Sequence, residues 1–380
     1  MDGSALGFQL FNASLEMYIH LAYDNPGENI VYSPFSISVL LSMLLVGARG
    51  NTAKELSNLL HAGDEAGDNI RGFSQFICGL STPDIIFRVA NRLYSARQYR
   101  VQEDYATVLE EFYRAGIESV DFTRNPDDIR KEVNEWVSEK TNSKIQNLLG
   151  PGSVDEGTKL ILVNAIYFKA NWVYLFNPRD TSSDDFHLDA QNTVQVEMMS
   201  QEGEYAVSDS WETNCRVLEM PYKGGEYSMV IVLPNEIDGL TSLEERLAEY
   251  DLRSLLNGLE TKPLVQLSIP KFKVQKKVGM NDVLRALGVK DLFDNERADL
   301  SGIFDNGSPS VSGIIHEAVV EVNENGTVAA AASAAIGVGS AGPSRNERIK
   351  FIADHPFLFL IKRNQGNLIL FMGSVRNPKA

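Results

Sequence analysis

The sequence has few basic residues and no long apolar run, and each shortage excludes a class of protein. It carries 35 Lys and Arg against 51 Asp and Glu, which gives a formal net charge of −16 over 380 residues. Because nucleic-acid binding needs clustered basic residues, nucleic acid is not expected as a partner. The longest apolar stretch, at 37–46, is too short to span a membrane and predicts a buried helix.

Cysteine and histidine are also scarce, which argues against a disulfide framework and a metal centre. The two cysteines, Cys78 and Cys215, lie far apart, and buried free thiols are favoured over a single disulfide. The histidines are dispersed, and the pair His316-Glu317 is followed by Val320 where a zinc-protease helix carries its second histidine. We therefore expect no bound metal.

Two patterns resemble enzyme motifs, but both lack the context that the chemistry needs. Residues 337–342 fit the G-x-G-x-x-G pattern of dinucleotide binding, yet Pro343 follows where a helix N-terminus is required. Asp354-His355 would suit a catalytic triad, but no serine lies in a Gly-x-Ser-x-Gly elbow. The sequence therefore predicts neither a cofactor nor an enzyme.

Hydrophobic periodicity predicts a mixed α+β fold in a single domain, residues 1–380. The first third is mainly helical in pattern: Ser33 and Pro34 predict a helix start, and a later helical period extends over 127–149. The run 160–168 is almost continuously apolar, which predicts a strand buried on both faces. Further strands, rich in β-branched residues, are predicted at 217–222, 227–233, 265–269 and 368–372.

The segment 326–344 is the one anomaly of composition. Its sequence, GTVAAAASAAIGVGSAGPS, has small side chains that cannot build a core, and it lies between two strand-like segments. A structureless loop of this length is usually functional. Small residues carry little side-chain entropy, so such a segment can be exposed first and inserted into a sheet later at low cost. The function is therefore expected to reside here.

Segments along nearly the whole chain resemble, in matching order, the serpin family of serine protease inhibitors. They are 29–36 (NIVYSPFS), 44–52 (LLVGARGNT), 164–172 (NAIYFKANW), 220–222 (MPY), 229–234 (MVIVLP), 269–272 (IPKF), 287–289 (LGV), 298–302 (ADLSG), 316–318 (HEA), 321–327 (EVNENGT), 354–357 (DHPF) and 371–373 (FMG). The resemblance implies a mixed α+β serpin fold with three β-sheets, about nine helices and an exposed reactive-centre loop at 324–349.

The resemblance also implies a monomeric suicide inhibitor. A serine protease attacks the loop and forms a covalent acyl-enzyme, and the cut loop then inserts into the main sheet as a new strand. The resemblance places the hinge, which inserts first, at residues 324–332, and its members are Glu324, Gly326, Thr327, Val328, Ala329, Ala330, Ala331 and Ala332. Thr327 and residues 329–332 match the small-residue hinge of inhibitory members, whereas Val328 stands where the family often has Glu, with a side chain expected to face outward. Because its inserting residues are neither bulky nor charged, an inhibitor is favoured over the alternative, a non-inhibitory serpin acting as carrier or chaperone.

Two further sites follow from the same resemblance. Ser33, Ser36, Asn164 and His316 match the polar cluster called the shutter, which holds together two strands that must later part. These residues can also be interpreted simply as hydrogen-bonded polar groups of the core. The two interpretations agree, because the role of the shutter is itself to hold strands together. Trp172 matches the breach, the end of the sheet at which the loop enters.

The predicted reactive bond depends on which end of the loop is counted from. Counting from Glu324 selects Ser340–Ala341, whose small residues suit an elastase-like protease. Counting back from 355–357 selects Arg345–Asn346, which suits a trypsin-like protease. Across the family the inserted segment varies less in length than the segment after the cut. Ser340 is therefore preferred, with Arg345 as the alternative.

Partners and compartment are predicted from weaker signals. The region 68–80, where the family's heparin-binding helix would lie, offers only Arg71 as a basic residue, so heparin is not expected. Asn-X-Ser/Thr acceptors occur at Asn12, Asn306 and Asn325, of which Asn12 and Asn306 are the candidate glycosylation sites. No signal peptide is visible, and we expect a secreted chain shown without its leader, with the cytoplasm as the alternative.

Overall fold

The computed structural model describes residues 3–62, 72–74, 77, 79, 84–250, 252–327 and 348–380, and every structural statement concerns these. Cys78, the hinge residues 328–332 and both candidate reactive bonds lie outside the described residues. Within them, Cys215 is buried and free, as predicted for that residue.

Residues 72–74 and 77 are helical, and eight further α-helices have both ends within the described residues. They are α1 (Gly3–Asp24), α2 (Pro34–Gly47), α3 (Gly50–Leu59), α4 (Glu103–Val108), α5 (Pro126–Lys140), α6 (Leu240–Leu247), α7 (Leu252–Asn257) and α8 (Asn281–Ala286). One π-helical turn, Leu109–Tyr113, continues α4. Of the helices described, none has the combination of length and apolarity that crossing a membrane requires.

Helix α2 begins where the sequence predicts, because Ser33 caps it and Pro34 occupies its first turn. The Ser33 hydroxyl accepts a hydrogen bond from the Ser36 backbone N–H at 3.1 Å. Every residue from Pro34 to Leu44 is buried, as expected for a helix that is enclosed on all sides by the core.

The helical period at 127–149 forms a helix only over α5, which ends at Lys140. Asn142 and Ser143 have left-handed backbones, with φ of 52° and 59°, and these stop the helix. The Asn134 side chain then holds the following segment through Leu149: it accepts from the Leu149 N–H at 2.8 Å and donates to the Leu149 carbonyl at 2.9 Å. The predicted helix end was therefore wrong. The apolar residues after Lys140 continue the helical spacing in the sequence, but they lie in a non-helical segment that the Asn134 side chain holds in place.

Fifteen strands form two hydrogen-bonded sheets within the described residues. The strands are β1 (Ile30–Tyr32), β2 (Ile85–Ala96), β3 (Gly116–Val120), β4 (Leu160–Asn171), β5 (Thr181–His187), β6 (Thr193–Ser210), β7 (Cys215–Pro221), β8 (Tyr227–Pro234), β9 (Glu260–Pro270), β10 (Phe272–Gly279), β11 (Gly313–Asn323), β12 (Gly326–Thr327), β13 (Ile349–Ile352), β14 (Phe357–Arg363) and β15 (Leu368–Val375).

Strand β4 lies inside the six-stranded sheet, whose order is β10-β11-β12-β4-β2-β3. Its residues from Leu160 to Phe168 are all buried, which confirms the predicted strand with two covered faces. Strand β11 runs parallel to β4, and the two pair directly along most of their length. At one end the short strand β12 lies between them and is antiparallel to both.

The nine-stranded sheet has the order β1-β15-β14-β8-β7-β6-β9-β13, with β5 paired to β6. The long strand β6 pairs with β5 through Thr193–Met199 and with β7 through Ala206–Ser210. The resemblance implies three sheets. Two of them form one continuous hydrogen-bonded sheet here, because β6 belongs to both. Helix α2 packs between the two sheets, against β4 and β15.

The bonds of Asn134 are expected to stabilise the segment 141–149. Asn134→Ala removes both bonds. The Leu149 carbonyl keeps the bond it accepts from Arg130 at 3.2 Å, but the buried Leu149 N–H is left without a partner, which costs roughly 1–3 kcal/mol. We expect a lower midpoint of urea unfolding for the uncleaved protein. The control, Glu135→Ala, changes an exposed residue of the same helix and should leave the midpoint in place. Equal midpoints for the two variants would contradict the role assigned to Asn134.

Candidate functional site

The predicted hinge enters the six-stranded sheet as strand β12. Gly326 pairs with Asn171 of β4 and Asn323 of β11, and Thr327 pairs with Ala170 of β4. Both hinge residues are buried. Gly326 has a φ of +147°, and a Cβ atom there would lie 2.1 Å from the Ala170 carbonyl oxygen. Only glycine fits this position.

A pair of hydroxyl groups holds Thr327 in place. Thr327 Oγ1 lies 2.7 Å from Tyr222 Oη, and both side chains are fully buried. Burial raises the pKa of the Tyr222 phenol, so the hydroxyl keeps its proton. The Tyr222 ring stacks on Trp172, with the centroids 4.5 Å apart and the planes 10° apart. The aromatic pair therefore presents a fixed hydroxyl where the hinge enters.

Hydrogen bonds from the segment 172–176 hold the turn that leads into β12. The Trp172 N–H donates to the Asn325 carbonyl, and the Phe176 N–H donates to the Glu324 carbonyl, both at 2.9 Å. The indole Nε1 of Trp172 donates to the Asn323 carbonyl at 3.0 Å. Three successive carbonyl groups are thus engaged, and Trp172 contacts the hinge directly.

The carboxylate of Glu324 anchors the hinge through an ion pair. Lys271 Nζ lies 2.7 Å from Glu324 Oε1 and 3.1 Å from Glu197 Oε1. The Thr181 hydroxyl donates to the same Glu324 oxygen at 3.0 Å. Burial works to raise the pKa of Glu324, but the hydrogen bonds from Lys271 and Thr181 outweigh it and lower the pKa. Glu324 is therefore held as a charged anchor.

The four predicted shutter residues lie together in one buried cluster beneath the sheet. Asn164 of β4 and His316 of β11 are register partners, and Asn164 Oδ1 contacts His316 Nδ1. The Asn164 amide donates to Ser36 and to Asn91 of β2. The Ser33 N–H donates to His316 Nε2 at 3.0 Å. Asn91 was not predicted, since β2 also carries Arg88 and Arg92 and an amide among them gives no distinct sequence signal.

These bonds assign the tautomer of His316. Nε2 accepts from the Ser33 N–H, so it carries no proton, and Nδ1 carries the proton that is donated to Asn164 Oδ1. A second proton on Nε2 would face the Ser33 N–H and leave a charge in a fully buried site. Burial accordingly lowers the pKa of His316 to about 3. The cluster is therefore neutral at physiological pH.

The remaining predicted sites are surface asparagines. Asn12 and Asn306 are both exposed. Asn12 Oδ1 accepts from Arg253 at 2.6 Å, and the Asn306 amide donates to the Gln98 carbonyl at 2.7 Å. Glycosylation of either one stays a prediction. Within the part of the chain that the structure describes, no group of His, Cys, Asp or Glu side chains has the geometry of a metal site.

Comparison with known proteins assigns this arrangement to a family. The family model described as Serpin (serine protease inhibitor) matches residues 10–378. Iris of Ixodes ricinus is 45% identical over 379 residues, which cover 98% of this chain and 99% of Iris. Human leukocyte elastase inhibitor is 39% identical over 96% of this chain and 97% of its own. The crystal structure of human thyroxine-binding globulin has a TM-score of 0.89 at 28% identity, with 99% of each chain covered.

The chain belongs to the serpin family, and its predicted mixed α+β serpin fold is confirmed. The family description also confirms the prediction of a serine protease inhibitor and not an enzyme. A globulin named for binding thyroxine has the same fold, so the fold alone does not determine the mechanism.

The depressed pKa of His316 predicts a loss of stability in acid. The unfolded chain binds a proton near the usual pKa of 6.5, whereas the native state does not until about pH 3. Stability should therefore fall as the pH drops from 6.5 towards 3, approaching about 1.4 kcal/mol per pH unit from this group. Urea midpoints measured between pH 7.5 and 4.5 should show a shallower decline for His316→Gln than for the wild type.

His61→Asn provides the control for this comparison. His61 is exposed and has a left-handed backbone, with φ of 46°, that asparagine tolerates. The urea midpoints of His61→Asn should follow those of the wild type over the same pH range, because the exposed side chain of His61 stays in water when the chain folds. The carboxylates that titrate in this range are common to all three proteins, so they do not affect the comparison. A His316→Gln profile parallel to the wild type would show that His316 contributes nothing to the acid sensitivity.

Proposed function

We propose that this chain traps serine proteases by a suicide mechanism. The protease serine oxygen attacks the carbonyl carbon of Ser340 and forms an ester, the C–N bond to Ala341 breaks, and the new Ala341 amine takes the proton. The loop that precedes the cut then inserts between β11 and β4 and carries the protease with it. The observation that supports this proposal best is strand β12, which already occupies the first two positions of such an insertion.

The register of β12 indicates how far an inserted loop would reach. Thr327 pairs with Ala170 of β4, and antiparallel pairing advances one residue on each strand. Ten residues further, Gly337 would lie opposite Leu160, where β4 begins. Residues 326–337 are therefore enough to cover the whole of β4, and Ser340 would follow at its far end.

The side chains of the loop suit this path. Residues of a strand alternate between its faces, and the buried side chain of Thr327 faces the core. The residues that would share its face are Ala329, Ala331, Ser333, Ala335 and Gly337. All are small, and helix α2 packs against that face of β4. This pattern supports loop insertion and therefore an inhibitor.

Ser333 has a specific place in the inserted strand. Six residues after Thr327, it would lie between Asn164 and His316, whose direct contact the new strand must break. A hydroxyl both donates and accepts, so Ser333 can bond to both side chains. Neither buried polar group would then be left without a partner, which would otherwise cost roughly 1–3 kcal/mol.

The distance to the sheet favours Ser340 as the cut residue. Strand β13 begins at Ile349, so a cut after Ser340 leaves residues 341–348 to reach the sheet, and a cut after Arg345 leaves only 346–348. Fully extended, these segments span about 27 Å and about 10 Å. The longer segment, 341–348, allows the cut bond to lie far enough from the sheet for a protease to dock on it. An elastase-like target is also supported by the name of leukocyte elastase inhibitor.

The mechanism predicts a covalent complex with an elastase-like protease. After incubation with neutrophil elastase or pancreatic trypsin, denaturing electrophoresis should show a band near the summed mass of the two proteins. Mass analysis of the released peptide should give Ala341 as its first residue, whereas Asn346 would assign the cut to Arg345. Cleavage by both proteases without such a band would overturn the mechanism and favour a carrier or chaperone.

The place of Ser333 can be tested on the cleaved form. We expect cleaved Ser333→Ala to unfold at a lower temperature than cleaved wild type, because the inserted strand no longer offers a hydroxyl to Asn164 and His316. Cleaved Ser333→Thr keeps a hydroxyl and should stay close to the wild type. The uncleaved forms should be alike, since the proposed insertion follows the cut. Equal stability of the cleaved Ala and Thr variants would contradict the register.

A further inference from the structure

A cavity of about 370 Å³ has no hinge or shutter residue in its lining. Strands β6, β7, β8, β9 and β14 line it, together with Tyr174 from the segment after β4. Its volume is at the lower end of the range for small-molecule sites. The residues that give it a chemical character are Tyr174, Glu204, Tyr205, Glu219, Lys362 and Asn364.

A buried ammonium group lines the cavity. The Lys362 side chain is only 6% exposed, and its Nζ lies 2.8 Å from Glu219 Oε1 and 3.0 Å from Asn364 Oδ1. An ammonium has three N–H donors, and the described residues supply acceptors for two. A buried donor without an acceptor is costly. The third N–H therefore favours a ligand with a hydroxyl or carbonyl oxygen.

Two tyrosine rings give the cavity an aromatic wall. Tyr174 and Tyr205 meet edge to face, with their centroids 6.0 Å apart and their planes at 78°. Tyr205 is buried, and Gln201 fixes its hydroxyl by donating to it at 2.6 Å. Tyr174 is 43% exposed and forms the outer side. Aromatic faces of this kind attract both rings and organic cations.

The net charge of the residues that line the cavity favours cationic ligands over anionic ones. Glu219 is neutralised by Lys362, but the exposed carboxylate of Glu204 has no ion-pair partner among the residues described. The lining therefore carries one excess negative charge, which attracts an ammonium group and repels a carboxylate.

We propose that this cavity binds a small aromatic amine that carries a hydroxyl group. The ammonium group pairs with Glu204, the ring packs against Tyr174 and Tyr205, and the hydroxyl oxygen accepts from Lys362. The proposal is independent of protease inhibition, because none of these residues belongs to the hinge, the shutter or the loop.

Three probes with the same phenol ring test the proposal by calorimetric titration of the uncleaved protein. Tyramine carries the amine, 4-ethylphenol has no charge, and 3-(4-hydroxyphenyl)propionate carries a carboxylate. Tyramine should bind at one site per chain with a Kd of about 1 mM, the scale expected of a ligand with so few atoms. 4-Ethylphenol should bind more weakly, and the propionate should not bind. Equal affinity for all three, or no binding of tyramine, would overturn the proposal.

Two variants locate the site. Glu204→Gln removes the excess charge from an exposed position, so it should weaken tyramine binding about tenfold and leave 4-ethylphenol unaffected; tenfold corresponds to about 1.4 kcal/mol. The control, Glu212→Gln, removes the same charge from a residue outside the cavity and should leave both affinities unchanged. If the two variants weaken tyramine equally, the attraction comes from the net charge of the protein and the proposed site is wrong.

Discussion

The contact between Asn164 and His316 is the constraint on which this molecule depends, because it joins two strands that the proposed function requires to separate. Strands β4 and β11 pair in parallel, and parallel pairing is slightly less stable per residue than antiparallel pairing. A strand inserted between them would replace one parallel ladder with two antiparallel ones. In the proposed mechanism the polar cluster keeps the parallel pair closed until the cut, and the hydroxyl of the inserted Ser333 then replaces the Asn164–His316 bond.

The geometry of the hinge would prepare the chain for the proposed exchange. Strand β12 is fixed by a hydroxyl pair to Tyr222, by the close approach of Gly326 to the backbone of β4, and by the carboxylate of Glu324. The first two residues are thus in place before any bond is cut. The rest of the loop need only extend an existing ladder, which avoids the cost of starting a new one.

Much of this was predictable from sequence, and the failures have identifiable causes. The capped start of α2 and the covered strand β4 follow from local signals, a serine-proline pair and an unbroken apolar run. Strand β2 was overlooked within a helical region, although Ile85, Phe87 and their exposed neighbours Ile86 and Arg88 alternate as strand residues do.

The predicted site was incomplete because its missing members are set by tertiary contacts. The shutter was assigned by resemblance, and the structure brings its four residues together. Tyr222, Lys271 and Asn91 were not predicted as site residues, since each acts on a residue more than fifty positions away. A phenol and an amine next to strand ends, and an amide within a strand, give no local sign of such partners. Only the pairing of distant strands makes them part of the site.

The burial of the C-terminal strands has a consequence for the cut molecule. A cut after Ser340 separates residues 341–380 from the rest of the chain, yet β14 and β15 lie inside the nine-stranded sheet and every residue of β15 is buried. In water the two pieces would therefore stay together as one particle. In size-exclusion chromatography without denaturant, intact and cut molecules would elute at the same volume. The two fragments would separate only after the sheet is unfolded.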